Sequence, residues 1–93
     1  MLDYIKEVLR ISAENEVFDN EISDLIAAAE ADLILSGVLE TKAEDDTDPL
    51  IRRALTVYVK AHFGWNNPDT ERLARAYDSL KSHLTLSQEY TVE

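Results

Sequence analysis

Apolar residues recur at helical spacing in four stretches of this chain, separated by polar interruptions. In the first, Asp3 to about Ile11, the residues Ile5, Val8, Leu9 and Ile11 fall on one stripe, which predicts an amphipathic helix of under three turns. The polar run Ser12–Glu16 then breaks the period and reads as a loop. The second stretch opens at Asp19 or Asn20 and carries Ile22, Leu25, Ile26, Ala29, Leu33 and Ile34, with Gly37 as the residue that closes it. Val17 and Phe18 precede its cap, where an apolar side chain can staple back onto the first turn.

The third stretch, Pro49 to about Phe63, is apolar around most of its circumference and so belongs at the centre of a bundle, or between a core and an oligomer contact. Asp48 as N-cap followed by Pro49 is the pairing that helix starts prefer. Asn67-Pro68 repeats the signal for a fourth helix, in which Leu73, Tyr77, Leu80 and Leu84 form a narrow stripe. Helices are therefore predicted near 3–11, 20–36, 49–63 and 68–84, an all-α, small four-helix bundle-like domain. The stretch 38–47, with four acids and one lysine, is predicted as a mobile connector. Residues 85–93 show near alternation and no helix-stop signal, which predicts an extended or disordered C-terminal tail. On that reading, deleting residues 86–93 leaves melting nearly intact.

Charge changes the picture more than composition does. Residues 1–48 hold 14 acids and 3 bases, residues 49–93 hold 5 and 6, and the chain carries −10. A chain this acidic, with no concentrated basic stripe, is repelled by phosphate polyanions, so direct DNA affinity is not expected. The chain has no cysteine, which removes disulfides, thiolate catalysis and cysteine-type zinc sites. No apolar run approaches the roughly 20 residues of a membrane span, and the start MLDYIKEVLR lacks the look of an export signal. Ninety-three residues suit one domain, 1–93, whose small core gains from association with neighbours.

Catalytic or metal-binding constellations do not emerge from the pattern, and neither an enzyme nor a cofactor is expected. His62 and His83 stand far apart in sequence without acidic partners at matching spacing. Glu30 and Asp32, two apart on a helix, point to different faces. The run Glu44-Asp45-Asp46-Asp48 lacks the glycine and distal glutamate of a calcium loop. Helix-turn-helix binding to DNA is disfavoured by Asp69 and Glu71 at the tip that would meet phosphates. Trp65 reads as an anchor for the corner between the third and fourth helices. Arg52 and Arg53 each read singly as solvated surface residues, while as an adjacent pair their guanidinium forks could clamp a carboxylate of another chain.

From Asp48-Pro49-Leu50-Ile51, through Ala54, Leu55, Tyr58, Val59 and the turn Phe63-Gly64-Trp65-Asn66-Asn67-Pro68, to Tyr77-Asp78-Ser79-Leu80-Lys81, the chain resembles the head-tail connector proteins of tailed bacteriophages, also called head-completion or adaptor proteins. The helices at Tyr4–Ile11 and Ile22–Ile34 match the same order. The resemblance implies a non-enzymatic virion protein, made in the host cytoplasm and placed at the head-tail interface. Its implied partners are the portal protein, neighbouring copies in a homo-oligomeric ring (dodecameric is one stoichiometry), and the next head-completion or tail protein. DNA would pass through the ring without specific binding, and no membrane is involved. The rival reading is a small acidic helical regulatory or interaction protein of a phage or prophage. The partner interface is expected on the connector and the tail, at Leu39, Glu40, Lys42, Glu44, Asp45, Asp46, Leu86, Tyr90 and Val92, together with Arg52 and Arg53.

Overall fold

Each long apolar stripe of the sequence becomes a helix, and the third becomes the axis around which the others pack. The computed structural model describes residues 1–64 and 67–93, in which all regular structure is helical: α1 (Leu2–Val8), α2 (Asp19–Leu35), α3 (Glu40–Ala43), α4 (Pro49–His62), α5 (Thr70–Leu86) and α6 (Gln88–Thr91). Asp48 caps α4 as its type and position predict, accepting from the amides of Leu50 at 2.9 Å and Ile51 at 3.3 Å. Gly37 ends α2 in a Schellman motif: its φ is +115°, its amide bonds the Ile34 carbonyl, and the Val38 amide bonds that of Leu33. The same pattern ends α1 with Arg10 in the left-handed position, φ 62°. That early Schellman stop is why α1 closes at Val8 and not near Ile11.

Helix α4 buries Ile51, Ala54, Leu55, Thr56, Val57, Val59 and Ala61, which confirms its expected central place. It packs against α2 on one side and α5 on the other. Packing between α2 and α4 divides between two apolar clusters. Val59 joins Ile22 and Ile26 with Ile5 of α1, and Leu55 lies in the main core with Ala29 and Leu33. Tyr58, however, turns towards α5 and meets the Tyr77 ring edge-on at 5.0 Å. Phe18 also departs from the local staple: it packs edge-on against Phe63 at 5.4 Å, while Val17 is exposed.

Three predicted boundaries need correction. Helix α5 begins at Thr70 with Asp69 as its cap, because Asn67 closes a turn instead, its Oδ1 accepting from the Asp69 amide and its Nδ2 donating to the Lys60 carbonyl. The acidic connector contains α3, whose Ala43, with the preceding Val38, is buried in the main core. The tail is neither extended nor free: α5 runs to Leu86 and α6 follows almost at once, with Tyr90 buried. The corner role expected of Trp65 lies outside the described residues. No described helix is long and apolar enough to cross a membrane.

One buried charge fixes the α1–α2 junction. Lys6 is 3% exposed, its ammonium donating to the Ala13 carbonyl at 3.1 Å and lying 2.8 Å from Asp19 Oδ1. A buried ammonium needs such partners, so the loop that the sequence leaves irregular is tied across its width.

Candidate functional site

Helix directions bring the expected interface residues to one pole of the molecule. The Asn67 side chain joins the start of α5 to Lys60 near the end of α4, and the Tyr90 hydroxyl reaches Asp48 at the start of α4, so α5 runs antiparallel to α4. Helix α2 is also antiparallel to α4, since early Ile22 packs with late Val59. The ends of α2 and α5 and the start of α4 therefore share a pole, together with α3, α6 and the acidic connector.

Tyr90 organises this pole. Its hydroxyl donates to the Asp48 carboxylate at 2.9 and 3.1 Å, and its carbonyl accepts from the Leu39 amide at 2.8 Å. Burial first, and then the Asp48 carboxylate, push the Tyr90 hydroxyl pKa up to about 12. Asp48 thus both caps α4 and receives the tail. The expectation that Tyr90 anchors a partner is corrected: at 5% exposure it is an anchor of this chain's own fold.

The remaining expected residues divide by exposure. Leu86 and Val92 are 84% and 60% exposed, and Leu35 at 87% and Leu50 at 48%, neither of them among the expected interface residues, are exposed as well. Glu40, Glu44 and Asp45 are exposed, whereas Leu39, Lys42 and Asp46 are half-buried. Asp46 is engaged on both sides, its carboxylate 3.3 Å from the Met1 amino group and its carbonyl accepting from Arg52 Nε at 3.0 Å. Thr47 hydrogen bonds hold the Asp45 carboxyl below its ordinary range. Burial, followed by the charges of Glu44 and Asp46, pushes Glu30 upward, so the carboxylates of α2 and the connector crowd one another. Arg52 is half-buried beneath Tyr4, its guanidinium 4.8 Å from the ring centroid, and Arg53 is exposed.

Away from the pole, Asp32 joins α2 to α5. Its Oδ2 accepts from Tyr77 at 2.6 Å and from Lys81 at 3.2 Å. Burial would raise this carboxyl, but the two hydrogen bonds outweigh burial and hold it below its ordinary value of 3.8. A depressed native value stabilises the fold fully above the unfolded-state pKa, and that contribution is lost as pH falls through the native value. Asp32→Asn is therefore expected to flatten the decline in melting temperature as pH falls below about 4. Equal acid-side slopes for the two proteins in thermal melts would show that Asp32 does not carry this dependence.

Among the described residues, no group of three or more histidine, cysteine or acidic side chains is arranged to hold a metal ion. The geometry is that of a packed helical scaffold ending in an acidic pole studded with exposed leucines, which suits contact between proteins. A protein-family model described as phage connector protein matches residues 1–91. The chain belongs to that family of phage head-tail connectors. No curated protein and no solved structure matches it. The match takes in all six described helices of this connector up to Thr91, so the acidic segment and α6 lie inside the matched region. A structural connector role in a bacteriophage, in contact with other head and tail proteins, follows from the family.

Proposed function

We propose that this protein is a non-enzymatic virion subunit that assembles, after genome packaging, as a homo-oligomeric ring beneath the portal of a phage head. The ring prolongs the DNA channel and offers a platform to the next head-completion or tail protein. The family match over residues 1–91 carries this reading. Two physical features support it. A net charge of −10 suits a passage through which DNA slides without adhering, since attraction would act as a brake. The exposed leucines at the pole suit a protomer whose apolar surface is completed by its neighbours.

The exposed positions of the pole, Glu40, Glu44, Leu86 and Val92 with Leu35 and Leu50, are the partner-facing surface on this reading. Leu35→Asp combined with Leu86→Asp is expected to leave the fold intact, because both side chains already stand in water, yet to abolish joining of DNA-filled heads to tails. Electron microscopy of the resulting lysates reads this directly. Tailed particles at the normal yield would rule out the pole as the docking surface.

A further inference from the structure

Beside the acidic pole, α1 and α4 enclose a cleft of about 280 Å³ lined by Tyr4, Thr47, Pro49, Arg52, Arg53 and Thr56. Arg52 is already set in place there, its Nε spent on the Asp46 carbonyl and its guanidinium laid on Tyr4. An arginine held in this way loses little rotamer freedom when a further acceptor arrives. Although the chain holds 19 acids, neither Arg52 nor Arg53 has a carboxylate within ion-pairing distance among the described residues.

The converse imbalance sits in the acidic connector. Glu40 at the start of α3 and Glu44 at its C-cap are both exposed and one turn apart, a spacing at which like charges repel, and neither is ion-paired among the described residues. Glu44 further presses on Glu30 of α2, a crowding that the Met1 amino group opposes. One molecule thus presents a preset pair of unmatched arginines and, separately, a ridge of unmatched carboxylates. Val38 and Ala43 hold that ridge rigid by their burial in the core.

We propose that the Arg52–Arg53 cleft of one copy receives the Glu40–Glu44 ridge of the next, forming the contact between adjacent subunits. This rests on the ring reading above and names its interface. The contact is heterologous, cleft to ridge, so it repeats around a closed ring without self-complementary pairing. A second copy is favoured as the occupant because this chain itself carries the complementary exposed carboxylates, Glu40 and Glu44, which every neighbouring copy presents.

The absence of cysteine makes cross-linking selective. Particles assembled from an equal mixture of Glu44→Cys and Arg53→Cys chains, treated with a short bismaleimide, are expected to yield linked pairs containing one of each variant. Pairs formed only between identical variants, links from Arg53→Cys to another virion protein, or no links at all would overturn the proposal. If the unlinked chains are nonetheless found in tailed particles, the connector reading survives that failure; if the chain is absent from them, both fall. As a second arm, Arg53→Glu is expected to lower incorporation into particles by about tenfold or more, the scale of one charge-assisted pair, and Arg53→Glu with Glu44→Arg to restore it. Thermal unfolding of Arg53→Glu should match the parent, because Arg53 is exposed. Reduced incorporation that the double reversal does not rescue would count against the pairing.

Discussion

Tyr90→Ala is expected to cost about 3–5 kcal/mol of folding stability, the range for truncating a large buried aromatic. Domains of this kind hold about 5–15 kcal/mol in total, so the variant would be partly unfolded at moderate temperature. Two losses combine. The ring leaves a void in the main core, of which Val38, Ala43, Ile51 and Leu84 are also members, and the Asp48 carboxylate loses the hydroxyl donor it holds at 2.9 Å. Tyr90→Phe separates them, because it keeps the ring and removes the donor, with an expected loss of about 1.5–3 kcal/mol for a hydrogen bond to a charged group. Deleting residues 88–93 should cost at least as much as Tyr90→Ala, since it also frees the Leu39 amide. Denaturant unfolding decides the matter. A loss under about 1 kcal/mol for Tyr90→Ala would mean that α6 is detached in solution and that the tail is the open terminus its alternating pattern suggests.

Leu55→Ala should lower stability by about 2–5 kcal/mol. Leu55 is 1% exposed at the middle of α4, where that helix touches both α2 and α5, so neither neighbour can close the void without disturbing the other. Leu35→Ala serves as the control. Leu35 is 87% exposed, and its truncation should stay within about 0.5 kcal/mol of the parent. Equal and small effects at both positions would place Leu55 outside the core and reassign the face that α4 buries.

The contrast between Leu55 and Leu35 shows why some of the candidate site was readable beforehand and some was not. Leu55 lies on a helix apolar around most of its circumference, which the sequence alone assigns to the centre of the bundle. Leu35 follows Leu33 and Ile34 in an unbroken apolar run, and such a run does not say which member faces out. The exposure of Leu86 and Val92 fits the expectation drawn from their lying beyond the predicted fourth helix. Tyr90, two residues from Val92, has the opposite fate, because an Asp48 carboxylate 42 positions away receives its hydroxyl. No local pattern encodes that bond. The same holds for Arg52: adjacent arginines could be singled out from type alone, but the Tyr4 ring and the Asp46 carbonyl that pin one of them come from other segments.

What the sequence by itself determined is what depends on neighbours within one or two turns. The all-helical class, the Asp48-Pro49 start of α4, the Gly37 stop of α2 and the central burial of α4 follow from side-chain period, capping oxygens and backbone freedom at glycine. The family resemblance was carried by the same apolar positions and turns. The tertiary structure alone decided the order of the connector and the tail, and hence the shape of the acidic pole. Short helices such as α3 and α6, four residues each, are unstable in isolation because one turn cannot offset the entropy of ordering it. They exist here because Val38, Ala43 and Tyr90 reach a core built by the long helices, a gain that becomes available only once those helices have packed.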